Sequence, residues 1–155
     1  MEQKTKLPLR AFKDEASGKW GFKNSNDEVV VSPTYRNAYY EFSEGLCPVV
    51  NDDKRFGFVD ETGKLVIPCK FIHALDFRDG LASVQEEGTL KNGYINHQGE
   101  LVIPFMYMKG GDFINGLAMV SDDSGRWGAI NHENELVFPI QYGWEELYDM
   151  LYKGK

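Results

Sequence analysis

The chain has 155 residues, of which 42% are hydrophobic and 26% are charged, so it is long enough for one domain and too apolar to be disordered. Its net charge of −7 argues against a nucleic-acid partner, and no apolar run has the length of a membrane-spanning helix. The polar N-terminal segment contains no signal-peptide core, so a cytoplasmic location is expected.

A Gly that follows an aromatic or polar residue recurs about every 36 residues. The pairs are Trp20-Gly21, Phe56-Gly57, Asn92-Gly93 and Trp127-Gly128. Each pair lies in a short run of β-forming residues, and a turn and an apolar run that ends in Pro follow it. A second block, Phe-x-x-Gly-Leu, then begins the next copy. A fixed period of this length predicts a stacked repeat, in which each unit needs its neighbours to bury its apolar face.

Four units of three short antiparallel strands account for this spacing. They cover approximately residues 9–42, 46–77, 81–113 and 117–148 of a single domain, 1–155. The third strand is expected to end at its Pro, because Pro has no N–H to donate. The next segment is expected to cross to the following unit as irregular chain or a short helical turn, and the tail from Leu151 is a candidate fifth strand. The sequence thus predicts an all-β tandem array, either an open solenoid or a curved, propeller-like stack.

The order of these motifs resembles the WG-repeat family of bacterial proteins, over residues 9 to 148. Two positions depart from the pattern, because Phe56 and Asn92 stand where Trp is typical. The resemblance implies an all-β repeat array that acts as a protein-interaction scaffold. It provides no catalytic residues to transfer to this chain.

Pairs of acidic residues occupy the first hairpin tip of every unit. They are Asp14, Glu15, Asp52, Asp53, Glu86, Glu87, Asp122 and Asp123. In a stacked array these carboxylates would form an acidic ridge along one edge, which would attract a cationic partner. The alternative is that the acids only form turns and favour solubility. Basic residues beside the tips reduce the field: Lys13, Lys54, Arg55, Lys91 and Arg126.

The crossing segments are the second candidate surface. They carry Tyr39, Tyr40, Tyr107 and Trp144, which are residue types that often anchor protein interfaces. These rings either are exposed anchors or cover the core beneath the loop. His97 and His132 occupy matching turn positions and are expected to be exposed there, because no third ligand for a metal is evident.

The sequence therefore predicts a non-enzymatic protein-interaction module with no cofactor, no metal and no membrane contact. Its most concrete form is an acidic inhibitor, of the immunity-protein type, that binds and neutralises a basic bacterial toxin. The alternative is a carbohydrate or cell-envelope binding protein that uses exposed aromatic residues. The sequence leaves the oligomeric state undetermined.

Overall fold

The computed structural model describes residues 8–39 and 41–153, which form fifteen strands and one helix. The first sheet contains β1 (Leu9–Lys13), β2 (Trp20–Asn24) and β3 (Val29–Tyr35). The second contains β4 (Asn37–Ala38), β5 (Leu46–Val50), β6 (Phe56–Asp60) and β7 (Leu65–Phe71). The third contains β8 (His73–Ala74), β9 (Ala82–Gln85), β10 (Asn92–Ile95) and β11 (Leu101–Tyr107). The fourth contains β12 (Lys109–Ile114), β13 (Leu117–Ser121), β14 (Trp127–Ile130) and β15 (Leu136–Tyr142), and α1 (Trp144–Tyr152) follows it.

The four sheets confirm the predicted all-β tandem array, and strands within each sheet pair antiparallel in chain order. The first three crossing segments differ from expectation, because each is extended and contributes a first strand to the next sheet, whereas the last one leads into α1. Asn37 of β4 pairs with Val50, and His73 of β8 pairs with Gln85. Among the residues that the structure describes, three sheets therefore have four strands and the first has three. A two-residue strand shows no alternation of polar and apolar residues, so periodicity could not reveal it.

The Pro of the third strand does not end that strand, which corrects the sequence prediction. In the second sheet, Phe58 pairs with Ile67 but Phe56 pairs with Phe71, so β7 contains a bulge that includes Pro68. The strand β7 lies at the edge of its sheet, where a missing N–H interrupts no ladder. The bulge folds the backbone of β7 over Gly57 of β6.

Three hydrophobic cores lie between consecutive sheets, and one aromatic pair recurs in each of them. A ring of the second strand packs against the Phe of the next Phe-x-x-Gly-Leu block. The pairs are Phe22 with Phe42, Phe58 with Phe77, and Tyr94 with Phe113, with ring centroids 5.7, 4.9 and 5.0 Å apart. The fourth sheet has Ala129 at this position, and it has no following sheet to contact. Each unit thus completes its core with residues of the next unit.

The two ends of the array differ in structure. The tail forms α1 and not the fifth strand expected from Leu151, because Trp144–Tyr152 contains no β-branched residue and buries Leu147 completely. On the first sheet, Arg10 and Lys23 both form ion pairs with Asp27, at 3.1 and 3.2 Å. Within the residues that the structure describes, no helix has the length and apolarity needed to cross a lipid bilayer.

Leu90 is strained at the tip of the first hairpin turn in the third sheet. Its φ is +61°, in a turn that the Leu90 N–H closes onto the carbonyl of Glu86, and the side chain is 52% exposed. Gly18 closes the same turn onto Asp14 in the first sheet, with φ of +74°. A left-handed conformation disfavours residues with a Cβ, whereas Gly adopts it freely.

We therefore expect Leu90→Gly to stabilise the protein by about 0.5–1 kcal/mol, because the relief of strain exceeds the extra freedom of Gly in the unfolded chain. Urea unfolding at equilibrium measures the change. The reciprocal variant Gly18→Leu should lose a similar amount. A lower free energy of unfolding for Leu90→Gly would show that the exposed Leu contributes packing that outweighs its strain.

Candidate interaction surfaces

The structure brings the first hairpin tips of the four sheets together along one edge. A basic residue immediately before each second strand pairs with an acid of the next tip. Lys19 pairs with Asp52, Arg55 with Glu87 at 3.0 Å, and Lys91 with Asp123 at 2.8 Å. These acids remain 67–70% exposed in their side chains. The edge therefore carries the eight predicted carboxylates interleaved with basic residues of the preceding units.

Several of the tip acids also organise their own turns. Asp14 accepts hydrogen bonds from the Ser17 hydroxyl and N–H at 2.6 and 3.1 Å, and these bonds lower the pKa of its carboxyl. The same arrangement with Ser124 lowers the pKa of Asp122. Glu86 accepts a hydrogen bond from the Thr89 hydroxyl at 2.6 Å.

In the second sheet, Asn51 organises the first hairpin turn in place of an acid. Its side-chain oxygen accepts the N–H of Asp53 and that of Arg55, both at 3.0 Å. Among the described residues, the side chains of Glu15 and Asp53 make no hydrogen bond or ion pair and are exposed. These two acids are therefore free to meet a partner without breaking any contact.

The four predicted aromatic anchors have different environments. Tyr107 is only 5% exposed and its hydroxyl donates to the side-chain oxygen of Asn134, so it belongs to the core and is not a surface anchor. Tyr39 is half-buried and donates to the carbonyl of Ala74 at 3.0 Å. Trp144 is 46% exposed. Tyr40 lies outside the described residues.

The sequence analysis missed a row of acids that lie in or just after the crossing strands. Glu41, Asp76 and Asp112 each stand immediately before the Phe of a Phe-x-x-Gly-Leu block, and this shared repeat position was the available signal. Burial raises the pKa of both Asp76 and Asp112; Glu41 raises that of Asp76 further, and Asp76 raises that of Asp112. Arg78 opposes both shifts. The Oδ1 atoms of the two Asp residues are buried and accept no hydrogen bond.

Removal of the Asp112 charge should stabilise the protein at neutral pH. A carboxyl whose folded pKa is raised binds its proton more tightly in the folded state, so wild-type stability rises as pH falls from the folded pKa towards the unfolded value of 3.8. We expect Asp112→Asn to raise Tm by about 1–3 °C at pH 7, and this advantage to shrink with falling pH.

Differential scanning calorimetry between pH 4 and 8 measures this dependence. The control is Asp53→Asn, because that carboxyl is exposed and makes no side-chain contact within the described chain. A Tm for Asp112→Asn below that of the wild type at pH 7 would contradict the assignment.

The two turn histidines each pack against the Phe of the preceding Phe-x-x-Gly-Leu block. The ring centroids of His97 and Phe77 are 4.8 Å apart, and those of His132 and Phe113 are 4.5 Å apart. His97 Nε2 also lies 2.9 Å from Glu44 Oε1. His97 is exposed, as expected, whereas His132 is only partly exposed and its Nε2 is buried, which corrects the expectation for that residue. Over residues 8–39 and 41–153, no group of three or more potential metal ligands comes together.

A groove of about 300 Å³ lies between α1 and the fourth sheet. Its aromatic walls are Trp127, Trp144 and Tyr148, and Lys109 and Asp112 also line it. The rings of Trp144 and Tyr148 stack with centroids 4.9 Å apart and an interplanar angle of 18°. The groove thus combines aromatic surface with one carboxylate and one ammonium group.

Repeated sheets, shared cores and contacts between equivalent positions define a tandem β-repeat protein. The family model described as WG containing repeat matches residues 20–54, 56–89, 93–124 and 127–144. The chain therefore belongs to the WG-repeat family, which confirms the resemblance seen in the sequence. No curated protein sequence matches the chain significantly.

Proposed function

We propose that this protein is a non-enzymatic interaction module that binds a basic protein partner. In its most concrete form it is an inhibitor that neutralises a basic bacterial toxin. The observation that carries the proposal is the row of hairpin tips, which presents acids from all four sheets along one edge of a chain with a net charge of −7. Complementary charge of this kind accelerates capture of a cationic partner and selects against acidic ones.

The ion pairs along this edge are compatible with binding. The acids Asp52, Glu87 and Asp123 are 69, 67 and 70% exposed, and exposed ion pairs contribute about 0–1 kcal/mol each. A partner that supplies lysine or arginine side chains would exchange one exposed pair for another at little cost. Pairs that the partner shields from water attract more strongly than exposed ones, and they favour the complex where this gain exceeds the cost of desolvation.

The test uses the most basic protein encoded next to this gene, purified with its activity blocked. Binding is measured by isothermal titration calorimetry at several salt concentrations. We expect a variant with Glu15→Gln, Asp53→Asn, Glu87→Gln and Asp123→Asn to bind about 10–100-fold more weakly and with less salt dependence. Its Tm should remain close to that of the wild type, because these side chains are exposed.

The matched control removes four charges at the second hairpin turns instead. It carries Glu61→Gln, Glu100→Gln, Glu133→Gln and Glu135→Gln, which are exposed and change the net charge equally. Equal weakening by both variants would mean that only net charge matters, and unchanged affinity in the tip variant would exclude the tips as the contact surface.

Carbohydrate binding is the second candidate function. The exposed Trp144, stacked on Tyr148 at the mouth of a groove, is the observation that favours it. Binding of an oligosaccharide that is lost in Trp144→Ala, together with no affinity for basic proteins, would favour this function over the first.

A further inference from the structure

We infer that the groove between α1 and the fourth sheet binds an arginine side chain of the partner protein. This inference rests on the proposed function, because it assigns the place where one basic residue of that partner is held. It adds a specific pocket to the general attraction of the hairpin tips.

The walls of the groove are suited to a flat, apolar-faced cation. Trp127, Trp144 and Tyr148 line it, and Trp144 keeps 46% of its surface exposed although it is stacked on Tyr148. An arginine guanidinium is planar and weakly hydrated, so it stacks on aromatic faces more readily than a lysine ammonium does. A volume of about 300 Å³ accommodates a single side chain.

The charge of the groove also favours a cation. Asp112 lines it, its buried Oδ1 accepts no hydrogen bond, and no ion pair joins this carboxylate to Lys109 or to any other described residue. Arg78 is the cation whose charge acts on this carboxyl, and it does not line the groove. A guanidinium donates several N–H groups and pairs well with a carboxylate. The adjacent helix adds further negative charge, since α1 carries Glu145, Glu146 and Asp149, and among the described residues Lys153 after its end pairs only with Asp149, at 3.4 Å.

The positive charge of Lys109 makes it possible to test whether the ligand of the groove is a cation, an anion or a neutral molecule. This residue is the one cation among the residues that line this groove, and its side chain is exposed. Its ammonium repels a guanidinium and attracts an anion, and it has little effect on a neutral sugar. Replacement of Lys109 by Gln therefore strengthens the binding of an arginine, weakens that of an anion and leaves that of a sugar unchanged.

The experiment uses the full chain and three probes, two peptides with blocked termini and one oligosaccharide. They are acetyl-Gly-Arg-Gly-amide, the same peptide with neutral citrulline in place of arginine, and a tetramer of N-acetylglucosamine. Nuclear magnetic resonance follows the indole N–H signals of Trp127 and Trp144, with Trp20 as an internal reference outside the groove. We expect the arginine peptide to shift the two groove signals saturably, with a Kd in the millimolar range, and to bind at least about fivefold more tightly than the citrulline peptide.

Variants assign the contacts. Asp112→Asn and Trp144→Ala should each weaken arginine binding about fivefold or more, and Lys109→Gln should strengthen it about two- to threefold. Met150→Ala is the matched control, because it changes an exposed residue of the same helix that does not line the groove. Circular dichroism confirms that every variant is folded; because Trp144 and Lys109 are exposed, their replacement keeps the fold.

Three results would overturn the inference: equal binding of the arginine and citrulline peptides, tighter binding of the saccharide than of either peptide, or weaker arginine binding in Lys109→Gln. The proposed function is tested separately with the whole basic partner. If that partner binds and Trp144→Ala leaves its affinity unchanged, the groove inference fails while the proposed function stands. If no basic partner binds but the arginine peptide does, the proposed function fails, and the groove is an arginine-binding site without the protein partner inferred here.

Discussion

Gly57→Ala is expected to destabilise the protein by at least about 3 kcal/mol, a large part of the roughly 5–15 kcal/mol by which folded domains are usually stable. A Cβ at Gly57 would lie 2.5 Å from the carbonyl oxygen of Ile67 and 2.8 Å from backbone atoms of Pro68 and Cys69. All three contacts are with backbone atoms of the bulged edge strand β7, so no side chain can rotate away to relieve them. Relief requires the bulge itself to open, and the bulge also places Phe71 in the core.

Urea denaturation followed by tryptophan fluorescence measures this loss. Gly88→Ala is the control, because a Cβ there meets no atom within 4 Å and the residue has no left-handed φ. It should unfold within about 0.5 kcal/mol of the wild type. Equal stability of the two variants would show that β7 can move away from β6 without loss, and the recurrent Gly would then need another cause.

Phe113→Ala is expected to cost about 3–5 kcal/mol, the range for truncation of a fully buried aromatic side chain. The side chain is 1% exposed, and its ring lies 5.0 Å from that of Tyr94 and 4.5 Å from that of His132. The residue therefore joins the third and fourth sheets. The void would open at the boundary between two units, so hydrogen exchange should increase most in the fourth sheet and α1.

The neighbouring residue provides the control for this second prediction. Ile114→Ala removes an aliphatic side chain that is 45% exposed, and it should cost less than about 1 kcal/mol. Calorimetry compares the two variants under identical conditions. Similar losses for both would mean that the boundary between these sheets tolerates a missing ring and that the stacked-unit account of stability is wrong.

The sequence predicted those parts of the fold that repeat with a chemical signature. The second strands of the four units occur as expected, because each repeats a run of β-forming residues around a Gly at a fixed offset. The crossing strands could not be predicted, since Asn37–Ala38 and His73–Ala74 become strands only through pairing with β5 and β9. Tertiary context decided their conformation, and local propensity did not.

For the candidate surfaces too, some features could be predicted from the sequence and others could not. The alignment of the acidic tips followed from the period, but the ion pairs from Lys19, Arg55 and Lys91 to the next unit depend on how far one sheet is offset from another. The groove beside Trp144 depends on a tail helix that has no counterpart in the other units. Comparison of the four units with one another therefore could not predict it. The burial of Tyr107 depends on its neighbours in the fourth unit, which the repeat pattern alone does not fix.

The crossing strands determine where the gene can be divided. Because β4, β8 and β12 belong to the sheet that follows them, the natural joints lie at Arg36, Ile72 and Met108, between the end of one sheet and the start of the next. The sequence motif suggests that a shortened chain could begin at Leu46 or Leu81. Such a chain would lack the two-residue strand, β4 or β8, that pairs with the first long strand of its sheet. Designers who add, delete or shuffle modules in this scaffold should therefore cut after the bulged edge strand and keep each two-residue strand with the module it completes.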